Sequence, residues 1–329
     1  MSLVAPTLEA FFTERLVTQK RASPHTVASY RDCWKLLLAY VQETSGVAPA
    51  KLDFADLDAA VIGGFLDHLE HDRGLSVRSR NVRLAAIRSL YSFAALRHPE
   101  HAATIGRVLA IQPKRAERTL VSFLLPAEVD ALLASPNPCN RIGRRDQALL
   151  VLAVQTGLRV AELSGLRIDD LHFGVGAFVH CVGKGRKERT TPLTKTTVAV
   201  MKEYFAERGG NYSDPVFPGP SGRPLGRDAI RRLVERHAAT AAQICPSLAA
   251  KTPTPHTLRH TCAMRLLESG TDIATIALWL GHETSRTTEV YLHAHLALKE
   301  RAIARTAPPG VTSGRYRPPD RLLAFLEAL

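Results

Sequence analysis

Apolar residues recur at helical spacing over residues 8–96, and three breaks divide this stretch into four predicted helices. The breaks lie at Ser23-Pro24, at residues 45–51 and at residues 74–76. Ser23 and Pro24 are typical of a helix start, because a serine hydroxyl caps free amides and proline suits the first turn. A short fifth helix is predicted over residues 101–109. The first part of the chain is therefore expected to be an all-helical domain.

The pattern changes after residue 120. Residues 126–133 and 144–157 are predicted helices, and the run ALLVLAVQTG in the second is apolar enough for a buried core helix. Three short strands are then predicted in LRIDDLHF, GAFVHCVG and RTTPL, with GKGRKE as the tight turn between the last two. Helices resume at Lys195. The expected fold class is mainly α with a small antiparallel β-sheet, in two domains.

The domain boundaries follow from these changes in pattern. Residues 1–108 form the predicted helical domain, and residues 109–119, which are basic and lack a helical period, form the predicted linker. Residues 120–305 form the second domain. The proline-rich tail, residues 306–329, ends in the apolar stretch RLLAFLEAL, which is predicted to dock as a helix on its own domain or on a neighbour.

The charge balance favours a polyanionic partner. Lys and Arg total 43 against 31 Asp and Glu, a formal charge of +12, while the hydrophobic content of 45% is ordinary for a folded protein. Basic residues gain affinity for phosphates by releasing condensed counterions, so nucleic acid is the first expectation and an acidic membrane surface the second. No apolar run reaches the roughly 18 residues of a membrane span, and residues 1–12 do not resemble a signal peptide, which predicts a cytoplasmic protein.

The five cysteines are widely scattered and include no CxxC pair. This distribution argues against a disulfide framework and against a zinc ribbon, both of which need closely spaced pairs. We expect reduced thiols that mostly serve as packing residues.

Six residues of chemically suggestive types lie between positions 157 and 293. They are Arg159 in TGLRVAEL, Lys184 in GKGRKER, His256 and Arg259 in PHTLRHT, His282 in LGH and Tyr291 in TTEVYLH. Each alone has an ordinary structural explanation, and Arg159, for example, can form a surface ion pair with Glu162 one turn later. His256 and Arg259 are three residues apart and share a face of a helix that begins near Pro255, so both can point at one phosphate.

These residue types match the needs of phosphodiester transfer. In-line attack on phosphorus builds charge on two non-bridging oxygens, which the guanidinium groups of Arg159 and Arg259 can bind through bidentate hydrogen bonds. The two histidines can donate hydrogen bonds or move a proton, and Lys184 can protonate the departing sugar oxygen. Tyr291, once deprotonated, can attack the phosphorus and keep the bond energy as a phosphotyrosine ester, so no ATP, metal or other cofactor is expected.

Other routes to phosphoryl transfer lack their motifs. The sequence has neither a Gly-rich Walker loop nor a cluster of carboxylates for two metal ions. A zinc site has a partial signal, because His256 and His260 are spaced as in HExxH, but Thr257 stands where that motif needs glutamate. A purely structural role for His260 stays open.

Four segments resemble, in order and spacing, the signature boxes of the tyrosine recombinase (phage integrase) family, and in particular its Xer-like members. These segments are TGLRVAELSGLRIDDL, VGKGRKERTTPL, TPHTLRHTCAMRLLESGTDIATIALWLGH and TTEVYLHA. SPHTVASYRDCW and SVRSRNVRLAAIRSLYSFA resemble, more weakly, the helical SAM-like core-binding domain that precedes the family's catalytic domain. The resemblance therefore covers both predicted domains.

The resemblance implies a role for every residue of the predicted site. The catalytic set is Arg159 and Arg259 as the phosphate clamp, Lys184 as general acid, His256 as acid/base, His282 as phosphate ligand and Tyr291 as nucleophile. Glu162 and His260 are implied to support these groups. Contacts to DNA are expected from the helical domain, the linker and the hairpin turn, although a merely solvated charged face explains any single one of them equally well. They are Lys20, Arg21, His25, Thr26, Tyr30, Arg31, Arg78, Arg80, Arg83, Arg88, Lys114, Arg115, Arg186, Lys187 and Arg189.

The resemblance also implies a way of working. Family members form a C-shaped clamp round double-stranded DNA at specific recombination sites and assemble as a tetramer of identical or different protomers at the nucleoid. Strands are cut through a 3′-phosphotyrosine and exchanged through a Holliday junction. The tail would dock on an adjacent protomer, but it is longer and richer in proline than in the simplest members, which leaves docking in cis or in trans open.

Several alternatives remain at the level of sequence. A relaxing topoisomerase or a hairpin-forming resolvase uses the same residue types, but the compact spacing from HxxR to the tyrosine favours a recombinase. A non-catalytic DNA-binding protein with the same fold is disfavoured by the complete set of six residues. For the biological role we favour a mobile element, because of the proline-rich tail and the absence of an added N-terminal arm-binding domain; Xer-type dimer resolution of chromosomes or plasmids is the alternative.

Overall fold

A computed structural model of the chain describes residues 3–116, 121–183 and 188–281, together with Thr288. The chain divides into two compact units, residues 1–118 and residues 119–329. The predicted fold class, mainly helical with a small antiparallel sheet, is confirmed. Among the helices of the described ranges, none is long and apolar enough to cross a bilayer.

The first unit is built from helices in its described residues. They are α1 (Val4–Ala10), α2 (Pro24–Ser45), α3 (Ala59–His71), α4 (Val77–Ala94) and α5 (Ala102–Ala110). α1 continues without a break into a π-helix, Phe11–Gln19. The predicted start of α2 is confirmed, because the Ser23 side chain accepts a hydrogen bond from the Thr26 amide and Pro24 opens the helix.

Aromatic side chains fill the core of this unit. The Phe11 ring is fully buried and lies 5.7 Å from the ring of Phe93 and 6.3 Å from that of Tyr30, measured between centroids. Tyr91, also fully buried, donates its hydroxyl hydrogen bond to the Leu57 carbonyl at 2.5 Å. The ring contacts of Phe11 join the π-helix to α2 and α4, and burial of such large rings contributes strongly to the stability of a core.

The second unit combines helices with one sheet. Its helices are α6 (Pro126–Ala134), α7 (Arg141–Thr156), α8 (Val160–Gly165), α9 (Lys195–Arg208), α10 (Arg227–Ala241), α11 (Pro255–Glu268) and α12 (Ile273–Leu280). Its strands are β1 (Leu171–His172), β2 (Phe178–Val182) and β3 (Glu188–Pro192). They pair antiparallel in the order β1-β2-β3, and Cys181 on β2 lies opposite Arg189 on β3.

The first strand is shorter than predicted. Within LRIDDLHF only Leu171–His172 forms a strand of the sheet, because Ile168–Asp170 forms a 3₁₀ turn. The Asp170 carboxylate accepts a hydrogen bond from the Arg167 amide at 2.8 Å. An aspartate that binds nearby backbone in this way offers the chain an alternative to a ladder of strand hydrogen bonds.

The prediction that α7 is a buried core helix is confirmed. Leu149, Leu150 and Leu152 have no exposed surface. The helix ends at Gly157, which has a left-handed backbone with φ of 64° and packs against α11 and α12. A Cβ at this position would lie 2.7 Å from Leu280 Cδ2 and 3.1 Å from Cys262 Sγ. Only glycine therefore fits this junction of three helices.

We expect Gly157→Ala to lower the free energy of unfolding by about 3 kcal/mol. A left-handed backbone costs a residue with a Cβ about 1 kcal/mol, and overpacking a filled core adds about 1–3 kcal/mol. Gly176→Ala is the matched control, because Gly176 has φ of 73° and open space around it. Urea denaturation measures both variants, and equal losses of stability would show that packing against Leu280 and Cys262 contributes nothing.

Candidate active site around the end of α12

Two arginines from distant parts of the sequence meet at the C-terminal end of α12. Arg159, at the start of α8, donates from Nη2 to the Gly281 carbonyl at 2.8 Å. Arg259, on α11, donates from Nη2 to the Leu280 carbonyl at 2.6 Å and from Nη1 to the Gly157 carbonyl at 2.7 Å. The last carbonyls of a helix have no partner within the helix and carry partial negative charge, so they attract guanidinium groups. The predicted pair of arginines is thus brought together.

The two guanidinium groups differ in exposure. The Arg159 side chain is 34% exposed, whereas Arg259 is 3% exposed. The side chain of Arg159 is therefore partly open to solvent beside α12. The buried Arg259 instead joins the end of α7 to the end of α12 through its two carbonyl hydrogen bonds. A ligand phosphate would meet Arg159 first.

Glu162 lies between Arg159 and a third arginine, Arg189. The predicted ion pair with Arg159 is present, with Oε1 of Glu162 2.9 Å from Nη1 of Arg159. Arg189 on β3 binds both carboxylate oxygens of Glu162, at 2.9 and 2.7 Å. Burial alone raises the pKa of Glu162, but the hydrogen bonds from Arg189 and from the Arg159 amide hold its pKa below the ordinary value. The carboxylate therefore stays ionised and fixes both cations.

Arg189 departs from its predicted role. Its side chain is 10% exposed and faces Glu162, so it does not present a cation to backbone phosphate as predicted for the basic hairpin turn. The physical reason is that a buried carboxylate such as Glu162, 8% exposed, needs charged partners inside the fold. Arg186 and Lys187, its predicted neighbours in DNA contact, lie outside the described residues, as does Lys184.

His256 and His260 lie one turn apart near the start of α11. Thr254 caps this helix by accepting a hydrogen bond from the Thr257 amide, which confirms the predicted helix start. His256 is exposed and His260 half-buried, with ring centroids 4.1 Å apart and the planes at 62°. Across the described ranges, no group of three or more His, Cys, Asp or Glu could hold a metal ion. His282 and Tyr291 lie outside the described residues.

The packing expectation for the cysteines is confirmed for three of them. Cys33, Cys181 and Cys262 are buried, and burial raises the pKa of Cys262 to about 12. A thiol that stays protonated is a poor nucleophile, so Cys262 is a packing residue near Gly157 and not a reactive group.

A buried ion pair anchors the segment that leads into α11. Glu128 on α6 accepts hydrogen bonds from Lys251 Nζ at 2.6 Å and from Ser247 Oγ at 2.7 Å. Burial opposes ionisation, but hydrogen bonds from Lys251 and from the Leu125 amide lower the pKa of Glu128 below 4.5. A carboxylate with a lowered folded-state pKa stabilises the fold above its unfolded pKa, and this contribution is lost as the pH falls through the folded value.

We therefore expect Glu128→Gln to destabilise the protein by about 2–3 kcal/mol at pH 7, because Lys251 loses its partner. The gap to wild type should begin to narrow as the pH falls below 4.5, where the unfolded chain takes up a proton first, and should continue to narrow as the pH falls through the lowered folded-state pKa. Glu235→Gln is the control, since the Glu235–Arg231 pair on α10 is partly exposed and worth about 0–1 kcal/mol. Chemical denaturation between pH 3.5 and 7 measures both, and a gap independent of pH would contradict this assignment.

Several predicted DNA-contacting residues of the first unit are exposed. Lys20, Arg21, His25, Arg31, Arg78 and Arg115 all face solvent. Arg83 and Arg88 are half-buried, and Arg83 donates from Nη1 to the Ser29 carbonyl at 3.0 Å, which joins α4 to α2. Tyr30 stacks on Phe11, and Thr26 bonds the hydroxyl of the capping residue Ser23. The exposed cations Arg31 on α2 and Arg78 on α4 therefore lie on two helices that the Arg83–Ser29 hydrogen bond joins.

Arg80 and Lys114, two of the predicted DNA contacts, share one carboxylate, but only Arg80 is buried. Arg80 is 5% exposed, and its Nε lies 3.9 Å from a Glu70 carboxylate oxygen, so the prediction that it contacts DNA is contradicted by burial. Lys114 donates from Nζ to the same carboxylate at 2.8 Å, and its backbone is bonded on both sides by the Asn81 side chain. The predicted linker is thus held to α4 at Lys114, because the Asn81 side-chain amide donates to the Lys114 carbonyl and accepts from the Lys114 amide.

Comparison with known proteins agrees with this architecture. The model of the phage integrase family matches residues 122–297, and the model of the phage integrase N-terminal SAM-like domain matches residues 10–98. The chain belongs to the phage integrase family. The predicted membership among the tyrosine recombinases is confirmed. The prediction that the chain is an enzyme of this family is confirmed as well, because the catalytic domain is present.

Two curated relatives align with most of the chain. A putative integrase/recombinase of Sinorhizobium fredii, y4rC, is 50% identical over 326 residues, which are 99% of this chain and 98% of that protein. The tyrosine recombinase XerC of Pelobacter propionicus is 35% identical over 292 residues, 87% of this chain and 90% of its own length.

Solved structures show the same two-domain fold. The integrase of the Tn1549 transposon, in complex with transposon right end DNA, aligns with a TM-score of 0.70 over 94% of this chain and 100% of its own, at 17% identity. XerH bound to palindromic difH substrate aligns with a TM-score of 0.66 over 93% of this chain and 84% of its own, at 20% identity. At these identities the likeness concerns the fold alone.

Sequence reasoning missed the groups that hold the arginines in place. The acceptors for Arg159 and Arg259 are backbone carbonyls, which every residue possesses, so no motif marks them. The signal that was available is Gly281, a glycine directly after an apolar helical run, which is the usual position for a helix end. The bidentate link from Arg189 to Glu162 had no sequence signal beyond the opposite charges.

Proposed function

We propose that this protein is a site-specific recombinase that cuts and rejoins double-stranded DNA through a 3′-phosphotyrosine at Tyr291. The observation that carries the proposal is the meeting of Arg159 and Arg259 at the carbonyls of Gly281 and Leu280. Two guanidinium groups at one point provide the charge that a phosphodiester needs as negative charge develops on its oxygens. His282 follows Gly281 directly in the sequence.

The carbonyls around the arginines are acceptors that a phosphate can replace. A guanidinium binds a charged phosphate oxygen more strongly than a neutral carbonyl, because both partners are then ionised and the pairing can be bidentate. A scissile phosphate beside Arg159 would therefore compete favourably for the donor that Gly281 now occupies.

The proposed reaction balances without an external energy source. The phenolate oxygen of Tyr291 forms a bond to phosphorus, the bond from phosphorus to the 5′ oxygen breaks, and Lys184 gives the proton that the leaving oxygen takes up. Attack by the 5′ hydroxyl of another strand reverses these steps and releases the tyrosine. One ester replaces another at each step, so the number of phosphoester bonds is conserved.

The proposal also covers the DNA substrate, the assembly and the biological role of the protein. The net charge of +12 and the exposed cations on α2 and α4 support a DNA substrate, and two solved structures with this fold contain palindromic difH substrate or transposon right end DNA. We also propose that four protomers assemble on two DNA sites at the nucleoid, so that strands can be exchanged through a Holliday junction. The C-terminal tail would dock to join protomers. Mobility of a genetic element is favoured by the relative named integrase/recombinase at 50% identity, while Xer-type dimer resolution is the alternative.

Trapping of the covalent intermediate tests the proposal. Duplexes that tile the source genome, each nicked so that the cut fragment diffuses away, are incubated with the protein in EDTA and without ATP. We expect an adduct that resists denaturant, with a nucleotide on Tyr291 by peptide mass spectrometry and a free 5′ hydroxyl on the released fragment. Binding without any adduct would favour the non-catalytic alternative, and relaxation of supercoils without exchange between two sites would favour a topoisomerase.

A further inference from the structure

We propose that Arg189 is a positioning residue for strand cleavage, which acts through Glu162 to hold the Arg159 guanidinium at the phosphate-binding point. The inference rests on the proposed function, because it takes Arg159 to be a phosphate ligand. It assigns Arg189 to the fold of the site rather than to the DNA surface.

Every acceptor position of the Glu162 carboxylate is occupied. Oε1 accepts hydrogen bonds from Nη1 of Arg159 and Nη1 of Arg189, both at 2.9 Å. Oε2 accepts from Nη2 of Arg189 and from the Arg159 amide, both at 2.7 Å. An ionised carboxylate offers about four such positions, and here two arginines share all of them. Each arginine therefore limits how far the other can move on the carboxylate.

The sharing decides where the Arg159 guanidinium points. With Nη1 on Glu162 and Nη2 on the Gly281 carbonyl, the guanidinium bridges α8 and the end of α12. Without Arg189, Glu162 would have Arg159 as its one cationic partner among the contacts described above, and bidentate pairing would draw Nη2 away from Gly281. The cluster would also fall from two positive charges against one negative to a neutral pair.

Arg189 touches the same end of α12 directly. A Cβ at Gly281 would lie 2.8 Å from Nη1 of Arg189, so the guanidinium rests against this backbone. Arg189 also belongs to β3, opposite Cys181 on β2, in the hairpin whose turn carries Lys184. One buried side chain thus links the hairpin, the carboxylate that holds Arg159, and the residue before His282.

The test separates positioning from DNA binding. On the adduct-forming duplex, we expect Arg189→Met to slow single-turnover cleavage about 10- to 100-fold, since a displacement of about 1 Å at a site can cost 10²-fold. The dissociation constant for DNA should change less than about threefold, because Arg189 is buried. Arg189→Lys, which keeps the charge without the fork, should fall between Met and wild type. A wild-type rate in Arg189→Met, or a loss confined to DNA affinity, overturns the proposal.

A matched control removes the same kind of ion pair elsewhere. Arg144 binds both carboxylate oxygens of Glu207, at 2.6 and 2.5 Å, in the same unit but away from α12. Arg144→Met should leave the cleavage rate within about twofold of wild type, even if the melting temperature falls as much as in Arg189→Met. Equal slowing in both variants would assign the effect of Arg189 to general stability and overturn its positioning role.

A double-mutant cycle tests the route through Arg159. In an Arg159→Lys background, the effect of Arg189→Met should shrink to less than about threefold, because residues that act through one another are not additive. The full effect retained in that background overturns the proposed route. Wild type without an adduct would defeat the proposed function itself, whereas wild-type cleavage that is unchanged in Arg189→Met defeats the positioning role alone.

Discussion

Tyr291→Phe is expected to abolish the covalent protein–DNA adduct completely. The substitution removes one oxygen atom, and phenylalanine has no group that can attack phosphorus. DNA affinity should stay within about twofold of wild type, because a single hydroxyl contributes little beside many phosphate contacts. Denaturing gel electrophoresis with end-labelled nicked duplex measures the adduct, and gel shift measures affinity on the same DNA.

The matched control for this substitution is Tyr212→Phe. Tyr212 lies in the same unit and is 80% exposed, so loss of its hydroxyl should leave both adduct and affinity unchanged. An adduct that persists in Tyr291→Phe would mean that another nucleophile makes the bond, and Tyr212 would then be the first residue to examine. Loss of adduct in both variants would point to general damage by these substitutions.

Arg159→Ala is expected to slow single-turnover cleavage about 10³-fold. Removal of one donor to a developing oxyanion costs about 10²–10³-fold, and Arg159 also carries the charge that faces solvent at the end of α12. The loss includes a second component, because Glu162 would then pair with Arg189 alone. Rapid-quench measurement of adduct formation at saturating DNA gives the rate constant without a contribution from binding.

Arg231→Ala controls for the loss of an arginine in the same unit. Arg231 pairs with Glu235 on α10 and its side chain is 48% exposed, so the variant should cleave at the wild-type rate. A loss in Arg159→Ala of less than about tenfold would contradict its role as a phosphate ligand. Arg159→Lys should retain part of the activity, since an ammonium keeps the charge but cannot bind two oxygens in a plane.

Elements with a strong local signal were predicted well. The start of α2 at Ser23-Pro24 and the start of α11 at Thr254-Pro255 are set by capping side chains and by proline within a few residues. The end of α7 at Gly157 follows from the freedom of glycine to adopt a left-handed backbone. Such signals act over one turn of chain, which is the distance at which sequence patterns are reliable.

Predictions of side-chain surroundings were less reliable. The period of α4 predicted a cationic side, but Arg80 faces inward toward Glu70, and of the four arginines of this helix only Arg78 is exposed. The strand predicted in LRIDDLHF shortened because Asp170 bonds the Arg167 amide. In both cases a carboxylate decided the outcome, and whether a carboxylate finds a backbone amide or a distant cation depends on three-dimensional packing.

The sequence alone determined the residue types of the site, their order and the family, because reactive groups are encoded directly as side chains. Only the tertiary structure decided that Arg159 and Arg259 share the end of α12 and that Arg189 turns inward to Glu162. The physical reason is that these arrangements depend on backbone carbonyls and on burial. Both arise when segments separated by about a hundred residues pack together, as Arg259 and Gly157 do.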